Sequence, residues 1–391
     1  MIARFTSTVL PTMPSFRRLL VRSSAVAAVA LALLAPALVA QARPALRTRN
    51  VVLFVIDGMR WQEVFTGAER ALISREPGGV RDTATLRRDF WRETPNARRE
   101  ALFPFLWGTV AKQGQVFGNR TKGSDAHVTN SYRFSYPGYS EILTGTFDPR
   151  IDSNDYPPNP NETVFEWLAK RPGFKGKVGA VATWDAFRRI FNRERAGIPV
   201  LDSWDPPFAT VEQPTERMQL IDELYRTSVH YWDGNAFDAP MQLAAKEFVR
   251  ANAPRLLFVG YGETDEWSHA GMYDLVLRSA HQADAFIGDM WTMMQAMPAY
   301  RGTTTFVITT DHGRGSGPTG WRDHGADVEG AQNIWIAVIG PDTPALGERA
   351  NVPAVTQSQI AATVAALLGE DWNAAKPKAG KVLPGVVGVG R

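Results

Sequence analysis

The chain contains no cysteine in 391 residues. That excludes disulfide bonds, thiolate metal ligands, a thiol nucleophile and a lipid-modified cysteine at the N-terminus. Histidine is scarce too, with six in the chain, so any clustering of them carries information. Internal repeats and low-complexity tracts are missing. The one apolar run near membrane length, Ala25 to Ala40, is interrupted by Pro36 and is short for a span. What remains is a chain that is 44% hydrophobic, enough for a sizeable globular core.

The N-terminus reads as an address, not as part of the fold. Arg4, Arg17, Arg18 and Arg22 precede the apolar run, which ends in Ala40-Gln41-Ala42. A basic region, a short apolar region and small residues at a cleavage point describe a secretory signal peptide over residues 1–42. Arg17-Arg18 loosely matches a twin-arginine export signal. Removing the four arginines, with no acidic residue beside them, takes the net charge from +3 to −1. The basic balance therefore belongs to the leader and gives no support to a nucleic-acid partner. A periplasmic or secreted chain without a stable membrane anchor is expected, with residues 43–391 forming one domain.

Apolar runs alternate with helical patterns through that domain. Asn50 to Ile56, Lys177 to Thr183, Arg255 to Tyr261, Thr303 to Ile308 and Gln332 to Ile339 read as buried strands. Helices are predicted after Ser135 as far as Gly145, over Glu162 to Lys170, from about Met272 to Met297, and over Thr356 to Leu368. The alternation lapses between about 185 and 240, which reads as an insertion covering one edge of the sheet. The pattern predicts an α/β fold with three layers, α/β/α, around a mostly parallel sheet.

Three of the strands run into carboxylates: Asp57-Gly58, Asp265 within Gly262-Glu263-Thr264-Asp265-Glu266-Trp267-Ser268-His269, and Thr310-Asp311-His312-Gly313. Taken singly, an acid after a strand is a turn or helix-capping residue. In a parallel sheet, however, all these ends lie along one edge, where α/β folds bind ligands. Asp265 and His269 are four apart and share one side of a helical turn. Asp323-His324-Gly325 follows a glycine-rich loop over 313–320. Mixed carboxylate and imidazole donors without sulfur suit zinc, and manganese accepts the same donors. Ser135 precedes a Pro-containing short helix, where its hydroxyl lies beside free backbone N–H groups that favour an anion. The same position also reads as a simple N-cap.

These pieces, in this order, resemble the alkaline phosphatase superfamily, especially its nucleotide pyrophosphatase/phosphodiesterase and related phosphatase branches. The matching features are the apolar strand with Asp57-Gly58, a hydroxyl residue before a short helix ending Leu143-Thr144-Gly145, Asp265-x-x-x-His269, Asp311-His312-Gly313 and His324-Gly325. The resemblance implies two divalent metal ions: one on Asp265, His269 and His324, the other on Asp57, Asp311 and His312. It implies Ser135 as nucleophile and oxygen donor to the second ion, with Ser140 as the competing hydroxyl. Two such ions, about 3.5–4 Å apart, clamp the attacking and leaving oxygens of a displacement at phosphorus. It also implies an asparagine beside the phosphoryl group. Asn154, Asn159 and Asn161 all fall in that stretch, and Arg188, Arg189, Arg314 and Arg322 are the nearby cations; Asn154, Asn161 and Arg314 are carried forward as substrate contacts. The implied activity is hydrolysis of a small phosphate ester through a phosphoseryl intermediate, leaning to monoesters, with phosphodiester hydrolysis as the alternative. A sulfatase is disfavoured because Tyr139 stands where the formylglycine signal has arginine. A cofactor-independent phosphoglycerate mutase needs a large second domain between nucleophile and later ligands, and only 130 positions separate Ser135 from Asp265.

Overall fold

The computed structural model describes residues 45–388; the leader-like segment 1–42 lies outside them. Eight strands form the main sheet: β1 (Asn50–Ile56), β2 (Gln115–Phe117), β4 (Val178–Ala182), β5 (Val200–Leu201), β6 (Leu256–Tyr261), β7 (Thr304–Thr309), β8 (Ile336–Ile339) and β9 (Gly347–Glu348). β3 (Ser124–His127) and β10 (Val352–Thr356) pair separately. The order across the main sheet is β5-β4-β6-β1-β7-β8-β2-β9. β5, β4, β6, β1 and β7 are all parallel, whereas β8 is antiparallel to β7 and to β2.

β1 lies at the centre because every residue of Asn-Val-Val-Leu-Phe-Val-Ile is buried, as a strand covered on both faces must be. Its side chains alternate between two cores. Val52, Phe54 and Ile56 join the core that includes helix residues Leu277, Ile287 and Met290. Val51, Leu53 and Val55 join the other core with Tyr139, Ile142 and Val364. Helices therefore cover both faces, and the architecture is the expected α/β/α sandwich.

Helices packed into the two cores include α1 (Ser135–Thr144), α2 (Glu216–Thr227), α3 (Asp238–Asn252), α4 (Glu263–His269), α5 (Tyr273–Ala296) and α6 (Ile360–Leu367). α1 stops at Gly145, whose φ of +76° is the left-handed cap that glycine adopts without a Cβ penalty. Residues 185–240 contribute edge strand β5 and helix α2. Trp204, Phe208, Met218 and Tyr225 from this stretch are buried in the same core as β1. The strand expected from Gln332 is shorter, since Asn333 instead bridges to His127 of β3.

α4 is held by a reciprocal arrangement. Asp238, the first residue of α3, accepts from Gly262 N at 3.0 Å, just ahead of α4. Glu263, the first residue of α4, accepts from Asp238 N at 2.9 Å. Each carboxylate thus satisfies an amide at the start of the other helix. Burial and then the neighbouring Glu263 push the Asp238 carboxyl well above the usual range. A folded-state value raised in this way contributes stability at low pH that is lost as pH rises through it. Asp238→Ala is expected to cost about 1–3 kcal/mol in urea unfolding, the penalty of buried amides left without an acceptor. Asp238→Asn keeps an acceptor and cannot ionise, so it should lose less and gain on the parent as pH rises. Identical pH dependence of the two would contradict this.

Candidate functional site

Strand register brings the acids together. β1 pairs with β7 so that Val55 faces Thr309, and with β6 so that Ile56 faces Tyr261. Carried past the strand ends, the same register sets Asp57 between Gly262 and Asp311. The turn after β1 is closed by Gly58 N, which donates to Asp311 Oδ1 at 3.0 Å. Gly58 has a φ of +59°, and a Cβ there would sit 2.7 Å from Asp265 Oδ1 and 2.8 Å from Arg314 Nε. Only glycine fits this close approach.

His312 is the hub. Its Nδ1 lies 2.9 Å from the Gly313 carbonyl, an acceptor, so Nδ1 carries the proton and Nε2 presents a lone pair. Around Nε2 stand Asp57 Oδ1 at 3.4 Å, Asp311 Oδ2 at 3.4 Å and Asp265 Oδ1 at 3.8 Å. Ser135 Oγ is 3.3 Å away. Asp57 Oδ1 and Asp311 Oδ2 are buried with no hydrogen-bond donor. Acceptor atoms thus converge on one another in a buried space, which is costly unless a proton or a cation lies among them.

The electrostatics agree. Burial, reinforced by Asp265, raises the Asp57 carboxyl well above the usual range, and burial with Asp57 does the same for Asp311. Without a cation these groups are driven toward the protonated form. Asp265 is held well below the usual range: burial pulls it up, but Arg314, His269 and His324 outweigh that. His324 is pushed down to about 2 by burial and then by His312, so its imidazole is neutral, as a metal ligand must be. His324 Nε2 lies 3.7 Å from Asp265 Oδ1 and 3.0 Å from His269 Nε2, and His269 is 3.3 Å from Asp265 Oδ2. Asp57, Asp311 and His312 each offer a donor atom within 4.8 Å of the others, and so do Asp265, His312 and His324. The two triads share His312, whereas the expected ligand His269 is outside both and reaches the second only through Asp265 and His324; donors of this kind suit a divalent cation.

Ser135 is the first residue of α1, after the extended Phe134, and its hydroxyl makes no capping bond. The N-cap reading is therefore not realised, and the hydroxyl is free to face His312. The expected row of free amides is also shorter: Tyr136 N donates to Asn154 Oδ1 at 3.0 Å, Pro137 has none, and Gly138 N bonds to Phe134 O. That leaves the Ser135 N–H. Ser140 Oγ accepts from Asn159 Nδ2 at 3.1 Å inside the core, away from the cluster.

The three asparagines separate clearly. Asn154 abuts the start of α1, with its Nδ2 uncommitted among the described residues. Asn159 is consumed by Ser140, and Asn161 Nδ2 donates to Asp148 at 2.7 Å; neither is brought to the cluster. Arg314 is inside the site but 1% exposed, with its guanidinium on Asp265 and on the Arg322 carbonyl. It lies as a buried counter-charge to Asp265, where a substrate contact was expected. Arg188 is paired with Asp202 and Asp205, Arg322 Nη2 donates to Pro77 O, and Arg189 Nη2 to Asn154 O.

Tyr139 was missed by the sequence reading. Its hydroxyl donates to Asp57 Oδ2 at 2.9 Å, tying α1 to the end of β1. Its place four residues after Ser135, on the same side of one helix, was the available signal. Losing such an outer partner of a ligand weakens metal binding about 10- to 100-fold. Tyr139→Phe is therefore expected to weaken divalent-ion binding to chelator-stripped protein by that order in calorimetric titration. Unchanged affinity would show that Asp57 needs no such anchor.

No protein-family model matches the sequence, and no curated protein matches it. Solved structures do. The alkaline phosphatase PafA is 12% identical, with 88% of this chain and 100% of that chain covered at a TM-score of 0.54. The phosphonate monoester hydrolase SpPMH from Silicibacter pomeroyi is 13% identical, covering 86% of this chain and 76% of that one at 0.51. The lipoteichoic acid synthase LtaP from Listeria monocytogenes is 12% identical, at 84% and 74% coverage and 0.51. At such identities the likeness is one of architecture. The chain has the fold of the alkaline phosphatase superfamily.

Proposed function

We propose that this chain is a two-metal hydrolase of small phosphate esters, with Ser135 as the nucleophile. The observation that carries the reading is the serine hydroxyl 3.3 Å from a buried imidazole lone pair that also faces three carboxylates. Asp57, Asp311 and His312 would hold one cation, with Ser135 Oγ beside it; Asp265, His269 and His324 would hold the other. Zinc suits these donors, and manganese is compatible. Bound divalent ions supply the Lewis-acid charge that favours a serine alkoxide and offsets charge on phosphoryl oxygens.

The protein's own part is orientation. α1 holds Ser135 at its first turn, Tyr139 locks that helix to Asp57, and the Gly313 carbonyl fixes the His312 tautomer. Ser135 N–H and Asn154 Nδ2 are the uncommitted donors for a non-bridging phosphoryl oxygen. Ser135 Oγ forms the new bond to phosphorus as the ester oxygen leaves, giving phosphoserine; water then releases phosphate and restores the hydroxyl.

The leader-like sequence of residues 1–42 supports a working enzyme outside the cytoplasm, periplasmic or secreted, with a single catalytic domain over 43–391. No helix among the described residues is long and apolar enough to cross a membrane. The direct test is hydrolysis of p-nitrophenyl phosphate and bis-p-nitrophenyl phosphate, with and without a chelator. Turnover that chelation abolishes and added divalent metal restores is expected, with Ser135→Ala lowering kcat at least about a thousandfold. Absence of turnover on either ester with metal bound would remove the enzyme reading. A fully active Ser135→Ala protein would remove the nucleophile assignment.

A further inference from the structure

Two residues before Ser135, Arg133 adopts a φ of +56°. A non-glycine residue in the left-handed region costs about 1–2 kcal/mol, so something must hold it there. Asn130 Oδ1 accepts from Arg133 N at 2.7 Å. Asn130 is in turn clamped by Glu141, whose Oε2 accepts from both Asn130 N at 2.9 Å and Asn130 Nδ2 at 2.8 Å. The other oxygen of Glu141 takes Thr129 N and Thr129 Oγ1, both at 2.9 Å. Glu141 is completely buried on α1. The helix that begins with Ser135 therefore anchors the strained turn leading into it.

The strain has a geometric product. Arg133 Nη1 donates to the Ala326 carbonyl at 3.0 Å, two residues beyond His324. The half-buried guanidinium thus spans from the loop that delivers Ser135 to the loop that delivers His324. Among the described residues no carboxylate pairs with it, and its Nε and Nη2 donors bond no protein atom and are open to solvent. The buried Glu141 carboxylate holds, through Asn130, the strained backbone that carries this cation, and strain of this kind gathers at functional sites.

We propose that Arg133 is the residue by which the site selects dianionic phosphate monoesters over monoanionic diesters, its free donors taking a phosphoryl oxygen. This rests on the reading of Ser135 as a nucleophile toward phosphorus. A monoester presents one more anionic oxygen than a diester, whose corresponding oxygen carries a carbon substituent. A guanidinium beside that oxygen forms a charge-assisted bond with the first and has no equivalent acceptor in the second.

The test is Arg133→Asn, since asparagine tolerates the left-handed conformation and keeps the turn while removing the charge. Loss of one charge-assisted bond should lower kcat/KM for p-nitrophenyl phosphate about 10- to 100-fold. The same variant should raise the inhibition constant of inorganic phosphate by a similar factor and change kcat/KM for bis-p-nitrophenyl phosphate less than about threefold. Melting temperature and metal content should match the parent. Arg133→Lys, with charge but no planar fork, should fall between. Equal losses on both esters, or no loss on either, would overturn the proposal while leaving the Ser135 reading intact. A parent protein that hydrolyses neither ester would remove both.

Discussion

The structure depends on a cluster of like charges placed at the ends of three adjacent parallel strands. Asp57, Asp265 and Asp311 are brought together by backbone register, in a space where burial alone drives two of them well up from the usual range. Among the described residues one cationic side chain, Arg314, is buried beside them, and it serves Asp265. The remaining negative charge is not compensated by protein. Divalent cations would complete this arrangement, with His312 in both of the donor triads that could hold one and His324 in the second. Everything near the cluster serves to hold unfavourable neighbours at fixed distances: the glycine turn at Gly58, the tyrosine strut from α1, and the exchange of caps between α3 and α4.

Ser135 brings one more oxygen atom to the same place from the other side. Its helix carries three attachments along its length. Ser135 faces the cluster, Tyr139 grips Asp57, and Glu141 fixes the turn upstream. A single ten-residue helix thereby sets the Ser135 hydroxyl, the Asp57 carboxylate and the approach loop against one another. Function and fold are supported by the same bonds here, so removing any one is expected to disturb geometry before it disturbs stability.

Much of this was legible in the sequence, for identifiable reasons. Fully buried parallel strands read as unbroken apolar runs, so β1, β6 and β7 and the polar residues at their ends could be located by pattern. Asp57, Asp265, His269, Asp311, His312 and His324 followed from topology together with the family resemblance. Strand direction is not encoded in a period of two, so the reversal at β8 was invisible. The partner of a charge is set by tertiary contact; Arg314 could not be recognised as the counter-ion of Asp265, nor Arg188 as bound to Asp202. The loop holding Asn154, Asn159 and Asn161 lacks periodicity, and only the fold shows which of them reaches α1. Arg133 carried no motif, because its backbone conformation comes from Asn130 and Glu141.

The central claim is that the paired donor sets exist to hold two cations next to Ser135. The most direct measurement is crystallography of the metal-loaded protein with anomalous scattering collected at the metal edge. Two peaks are predicted, one among Asp57, Asp311 and His312 beside Ser135 Oγ, the other among Asp265, His269 and His324. No peak in the cluster, with the carboxylates instead bridged by protons or by Arg314, would contradict it.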